Sequence, residues 1–164
     1  MDFAMTDEQE LLLESVREFC DRYFTEDVIK EMYETGDMPD EIAEAYRDAG
    51  FGLMGIPEEY GGIPCDKVTL GMMIEELYHS SGCNHILYQN SLTAFDIVEF
   101  GTPEQIQKYM DAYMETGWPL CSLSISEPGA GSDNRNMSCT AKKQDDGTYR
   151  LNGQKTWVTM GAKL

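Results

Sequence analysis

The sequence predicts an α+β chain in which about six helices come first and the opening strands of a β-domain follow. Three observations carry this prediction. Apolar residues before Gly117 recur at helical spacing, and residues after Trp118 alternate with a period of two. Gly, Pro, Ser, Thr and Asp punctuate the chain where elements begin and end. With 164 residues and 41% hydrophobic side chains, the chain can build a packed core. The change of texture divides it into a helical domain, 1–117, and the start of a β-domain, 118–164.

The first helix opens on Thr6-Asp7-Glu8-Gln9, a capping box, and Leu12, Val16, Phe19, Cys20 and Tyr23 then share one face. A short second helix runs over Glu26–Tyr33, and a third over Asp40–Ala49, stopped by Gly50. Phe51–Asp66 reads as a loop rich in Gly and Pro. Asp66 caps a fourth helix with Val68, Met72, Ile74, Leu77 and Tyr78 on its apolar face, broken at Ser81-Gly82. The fifth covers Asn84–Phe100. The sixth has Thr102 as its cap, Pro103 in the first turn, Gln105 closing the box and Gly117 beyond its end. Its inner face is Ile106, Tyr109, Met110, Tyr113 and Met114.

Leu120–Ser126 and Ser138–Gln144 read as strands. Asp145-Asp146-Gly147 turns the second of these into Thr148–Leu151. Asn152-Gly153 is a further hairpin signal, leading into a strand Lys155–Thr159. Three or four strands leave an open sheet edge, so the β-domain is expected to be incomplete.

Charge narrows the function classes. Residues 1–117 carry 26 carboxylates against 6 Lys and Arg, a net −20, whereas 118–164 carry a net +2. Nucleic acid and anionic lipid surfaces both require cationic contacts, so neither is an expected partner. No apolar run approaches the ~20 residues of a membrane span, and the acidic N-terminus is unlike a signal peptide. Cys20, Cys65, Cys83, Cys121 and Cys139 form no C-x-x-C pair and are odd in number, which predicts reduced thiols in a cytoplasmic protein. His79 and His85 are six apart and complete no metal-site ligand pattern, so core or solvent roles are expected and no metal site.

The segment that bears on chemistry is Leu123-Ser124-Ile125-Ser126-Glu127-Pro128-Gly129-Ala130-Gly131-Ser132-Asp133. A strand entering a loop of small residues brings backbone N–H groups close to a ligand, although a tight surface turn reads the same way. Neither a dinucleotide fingerprint nor a P-loop is present: Asn134 replaces the needed glycine, and no Gly-Lys-Ser/Thr follows. Trp157 and Thr159, two apart on the expected strand, would share a face. An indole beside a hydroxyl suits a planar heterocycle; it equally suits a core-facing layer.

Taken together, in this order and spacing, these stretches resemble the acyl-CoA dehydrogenase family of flavoproteins. The resemblance rests on Ser126 to Asp133, on Cys139-Thr140-Ala141, and on Tyr149-Arg150-Leu151-Asn152-Gly153-Gln154-Lys155-Thr156-Trp157-Val158-Thr159-Met160-Gly161. The helical part adds Asp7 to Leu12, Gly50 to Gly62, and Gly101-Thr102-Pro103-Glu104-Gln105, so the whole chain is covered. Among subfamilies, Met1-Asp2-Phe3, Ile56-Pro57-Glu58-Glu59 and Leu87-Tyr88-Gln89 are most similar to crotonobetainyl-CoA reductase.

The resemblance implies a six-helix N-terminal domain followed by the first strands of a β-barrel-like middle domain. It implies FAD, an acyl-CoA substrate, an electron-transferring flavoprotein as partner, and a homotetramer. The flavin-contacting residues would be Leu123, Ser124, Ile125, Ser126, Glu127, Pro128, Gly129, Ala130, Gly131, Ser132, Trp157, Val158 and Thr159. Of these, Ser126 would bond the pyrimidine end of the ring, Trp157 would pack on the isoalloxazine, and Thr159 would reach N5. Ser132 would contact the acyl-CoA. Ser126 stands where the family usually has Thr, Leu123 where many members have Tyr or Phe, and Met160 where Asn is frequent. The family's catalytic Glu lies beyond residue 164, and Glu127 takes a structural position. A non-catalytic helical interaction module and a flavin oxidase or monooxygenase of the same fold are the alternatives.

Overall fold

Helices α1 (Asp7–Tyr23) and α4 (Lys67–Ser81) form the spine of the helical unit. The computed structural model describes residues 4–83, 85–118 and 121–161, apart from the side chains of 89–91. Val16, Phe19 and Cys20 of α1 face Met73 and Leu77 of α4 in one buried cluster. Polar contacts fix their register. Gln9 Nε2 donates to Thr69 Oγ1 (2.8 Å), Arg17 pairs with Glu76 (2.7 Å), and Cys20 Sγ reaches the Leu77 carbonyl (3.6 Å). Each helix starts on its predicted cap: Thr6 and Gln9 close the box of α1, and Asp66 accepts from Val68 N and Thr69 N on α4.

Around this spine lie α2 (Glu26–Thr35), α3 (Asp40–Asp48), α5 (Leu87–Phe100) and α6 (Pro103–Thr116). The last carries the expected Thr102–Gln105 box and a left-handed Gly117. Phe51–Asp66 is an ordered connector. It contains two 3₁₀ turns, Phe51–Leu53 and Glu58–Tyr60, and Ile63 N and O bond to Leu53 and Gly55. Gly52 is required there, because a Cβ would lie 1.9 Å from the Tyr113 hydroxyl oxygen.

Several expectations of facing and boundary are corrected. Helix α2 continues two residues past Tyr33, until Gly36 takes the left-handed conformation. Val68 and Met114 are exposed, whereas Leu13 and Met73 are buried. At a helix end or rim, one-dimensional spacing does not settle which of two neighbouring residues meets a partner helix. Helix α5 starts at Leu87. His85 lies before it in the connector, its carbonyl held by the Tyr78 hydroxyl (2.9 Å); Asn84 lies outside the described residues.

Residues 121–161 belong to a second compact unit, Leu120–Leu164. Its sheet has two antiparallel strands, β1 (Thr140–Lys143) and β2 (Tyr149–Asn152), in the register Thr140↔Asn152 to Lys143↔Tyr149. The turn is the predicted Asp145-Asp146-Gly147, with Gly147 at φ 84° and Asp146 Oδ1 accepting from the Thr148 amide and hydroxyl. The expected strands at 120–126 and 155–159 do not form ladders among the described residues; Leu120 itself lies outside them. The reason is backbone geometry. Trp157 and Met160 have φ of 58° and 63°, which breaks a strand's period-two alternation, and Asn152-Gly153 therefore ends β2 without starting another hairpin. Among the described residues no helix is long and apolar enough to cross a membrane, and no cluster of His, Cys, Asp and Glu is arranged to hold a metal.

His79 is exposed and His85 is core. The His85 ring stacks between Phe24 (5.0 Å) and Tyr78 (4.5 Å), and neither nitrogen has a hydrogen-bond partner among the described residues. Burial lowers its pKa to about 4, against about 6.5 in an unfolded chain. A depressed pKa means the neutral form belongs to the fold, so stability is complete above the unfolded value and is lost as pH falls through the folded one. We expect this single group to remove up to about 3 kcal/mol between pH ~6.5 and ~4. Urea unfolding at pH 7, 6 and 5 should show a shallower loss for His85→Phe than for the parent; equal slopes would mean that His85 is not the titrating group.

Candidate functional site

The loop predicted to bear on chemistry is a tight turn locked from behind. Glu127 N donates to the Ala130 carbonyl (2.9 Å), and Ala130 N returns a bond to the Glu127 carbonyl (3.1 Å). Pro128 and Gly129 fill the middle positions, where proline presets φ and glycine adds no bulk. Built Cβ atoms at Gly129 and Gly131 would meet nothing within 4 Å, so open space lies in front of this loop.

Behind it, the Glu127 side chain is only 3% exposed. Its Oε2 accepts from Ser138 N (2.6 Å) and Ser138 Oγ (2.9 Å). Its Oε1 accepts from Cys139 N (3.0 Å) and Lys155 Nζ (2.9 Å). The Lys155 ammonium foremost, then the Ser138 and Cys139 donors, hold the carboxyl far below the usual carboxylate range. A carboxylate so engaged stays ionised at neutral pH, and its four accepted hydrogen bonds occupy the lone pairs that a substrate proton would need. Glu127 is therefore a structural anion.

The same lysine brings the two predicted halves together. Lys155 Nζ also donates to the Ile125 carbonyl (2.9 Å), Thr156 N donates to the Ser126 carbonyl (2.9 Å), and Ser122 Oγ donates to the Thr159 carbonyl. Segments 122–127 and 155–159 thus lie side by side without a regular ladder. Leu123, Ile125 and Trp157 are exposed, Trp157 to 93%. Ser124, Pro128, Gly129, Gly131, Ser132 and Thr159 are also exposed, Ser126 and Val158 are half-buried, and Ala130 is buried. The expected shared face of Trp157 and Thr159 is replaced by a left-handed Trp157 that projects its indole outward.

This surface fits a planar, polar-edged ligand such as a flavin on its own features. Exposed apolar side chains stand beside hydroxyls and an open loop, and Thr156 Oγ1 is enclosed without a hydrogen-bond partner among the described residues. Sequence reasoning missed Lys155, Ser138 and Cys139 as organisers. Glu127 and Lys155 are 28 positions apart, and no local pattern links them.

Comparison with known proteins places this architecture. The family description "Acyl-CoA dehydrogenase, N-terminal domain" matches residues 6–116, and "Acyl-CoA dehydrogenase, middle domain" matches residues 122–164. The chain belongs to the acyl-CoA dehydrogenase family. It is 40% identical over 163 residues to the probable acyl-CoA dehydrogenase YdiO of Escherichia coli (strain K12), covering 99% of this chain and 42% of that protein. To the caffeyl-CoA reductase–Etf complex subunit CarC of Acetobacterium woodii it is 33% identical over 157 residues, 94% of this chain and 41% of that one. The fold is similar to that of glutaryl-coenzyme A dehydrogenase in its glutaryl-CoA complex, with a TM-score of 0.85 at 29% identity, covering 99% of this chain and 42% of that one. The chain spans about two fifths of the length of the curated relatives it matches.

The clamp generates a prediction. Glu127→Gln would turn an amide N–H₂ toward donors on one side or the other, so it should lower the melting temperature by a few degrees despite its near-identical shape. Because the Glu127 pKa is depressed, the clamp's contribution is complete above the unfolded value of about 4.3 and is lost only as pH falls below it. Amide exchange at Ser138 and Cys139 should stay slow down to about pH 4 in the parent and be fast at neutral pH in Glu127→Gln. Fast exchange in the parent at pH 5–6 would show that the carboxylate titrates normally.

Proposed function

We propose that this chain provides the helical domain and the first flavin-facing wall of an FAD-dependent acyl-CoA dehydrogenase or reductase. The observation that carries this reading is the convergence of 122–127 on 155–159 through the Ser126–Thr156 and Lys155–Ile125 bonds. It places an exposed indole, two exposed aliphatic side chains and several hydroxyls beside a small-residue loop. Membership of the family supports FAD and an acyl-CoA thioester.

FAD, when bound, would supply hydride chemistry at the β-carbon of the thioester. The chain's residues then bind and orient. Leu123 to Ser132 would line the flavin through backbone and small side chains, Ser126 would bond its pyrimidine end, Trp157 would pack on the ring, and Val158 and Thr159 would complete the contact. Ser132 holds the acyl-CoA. The carboxylate that moves the α-proton belongs outside these residues, since Glu127 has no lone pair to spare. The name of CarC supports an electron-transferring flavoprotein as partner. A homotetramer in the cytoplasm completes the proposal.

The decisive experiment is purification of the full-length protein followed by flavin analysis and acyl-CoA-dependent dye reduction. Bound FAD with dye reduction supports the reading. A flavin-free protein would favour a non-catalytic interaction module, and oxygen consumption without dye reduction would favour an oxidase.

Two substitutions test the residue roles. Trp157→Ala should weaken FAD retention, because a stacked aromatic adds about 0.5–1.5 kcal/mol beyond its buried area. An unchanged ratio of flavin to protein absorbance after gel filtration would remove Trp157 from the site. Ser126→Ala should shift the flavin reduction potential by about 10–30 mV, the worth of one neutral hydrogen bond, and Ser126→Thr should be nearly silent. Equal behaviour of the two variants would deny the hydroxyl any such role.

A further inference from the structure

Resting on the flavin assignment above, we propose that Lys155 is a positioning residue that presets the flavin-facing wall before any cofactor arrives. Its ammonium has three protons and three partners: the Ile125 carbonyl (2.9 Å), Glu127 Oε1 (2.9 Å) and Met137 Sδ (3.5 Å). These partners come from two segments 18 to 30 positions earlier in the chain. Ile125 precedes the loop 127–132, Glu127 opens it, and Met137 opens its return at 137–139.

Lys155 stands two residues before Trp157. A bulky residue at φ 58° is strained and persists only where its surroundings fix it. On one side of Trp157 the backbone is held by the Thr156–Ser126 bond; on the other, Thr159 O accepts from Ser122 Oγ and Gly161 N bonds Val158 O. Lys155 anchors the first of these by tying its own side chain to the residues on either side of Ser126. Arg135, Lys142, Lys143 and Arg150 of the same unit are exposed and form no ion pair among the described residues, so none stands in for it. The lysine is not itself among the residues assigned to the flavin or to the substrate, although Ile125 and Glu127, which it holds, are. It acts through the backbone of Ile125 to Glu127 and through the conformation of Trp157.

The test uses the full-length protein with Lys155→Met and Lys155→Arg, in two arms. In flavin-free protein, amide exchange is measured at Ala130 and Thr156, whose own hydrogen bonds do not involve Lys155. In the loaded protein, FAD affinity and the visible flavin spectrum are measured. Lys155→Met should raise exchange at both amides by about tenfold, weaken FAD binding by about tenfold and shift the flavin spectrum. Lys155→Arg, which keeps the charge, should restore all three readouts to within about threefold of the parent. Should Lys155→Met not yield folded protein, Lys155→Gln takes its place. Unchanged exchange at Ala130 and Thr156, or altered exchange with unaltered FAD affinity and spectrum, overturns the proposal. A parent protein that binds no FAD sinks the flavin assignment instead. In that event, raised exchange in Lys155→Met still upholds Lys155 as the residue that sets the wall, and unchanged exchange removes it.

Discussion

A carboxylate taken out of water must be given donors, and residues 121–161 are arranged around one such group. Glu127 receives four contacts from three residues, Ser138, Cys139 and Lys155, that lie 11 to 28 positions away. Supplying them forces the chain to leave the Pro128–Gly129 turn and come back behind it at 138–139. It must return once more at 155, after the β1–β2 excursion. The hairpin itself is exposed on both faces and buries nothing. In this unit the contacts to the buried Glu127 side chain tie the turn to residues 138–139 and to Lys155. The loop glycines stay uncovered, since a built Cβ at Gly129 or Gly131 meets nothing within 4 Å, while the locking contacts run to the Glu127 side chain.

The helical unit is organised by a different constraint. Its core is continuous from α1 through the Phe51–Met54 connector to α4, and aromatic rings fill the joints. Phe19 touches Tyr23, Phe24, Tyr46 and Phe51 with ring centroids between 5.0 and 6.2 Å apart. Large rings packed this closely leave room for the backbone only where side chains vanish. Gly52 lies against Tyr46 and Tyr113 for that reason. Most acidic residues, by contrast, are exposed, several of them in the first turns of α1, α2 and α3, where helix dipoles favour them; Glu76 in α4 is drawn inward by its pair with Arg17.

Much of this was legible in the sequence. Caps are local, so Thr6, Asp66 and Thr102 marked helix starts correctly, and Asp145-Asp146-Gly147 marked the hairpin turn. The order of helices before strands followed from periodicity. What escaped depended on partners distant in sequence. Val68 reads as an apolar-face residue by spacing, yet α1 meets the neighbouring side of α4, at Thr69 and Met73. Lys155 to Thr159 has strand composition, but the bonds from Thr156 to Ser126 and from Ser122 to Thr159 hold it in another shape. The candidate site was visible as a pair of motifs; that a lysine inside one motif locks a glutamate inside the other was not, because spacing carries no information about a contact across 28 residues.

The core cluster of the helical unit draws its buried members from Val16 to Leu87. A polypeptide emerging from the ribosome presents its N-terminal half first, and domains fold as units during synthesis. The helical unit, whose last packed residues are Tyr113 and Trp118, has the partners of its aromatic joints before residues 121–161 leave the exit tunnel. Strands and clamp then form after the helical unit. Damage to the Glu127 clamp during synthesis would leave the helical unit standing, and quality control in the cell would meet a chain folded in one unit and loose in the other.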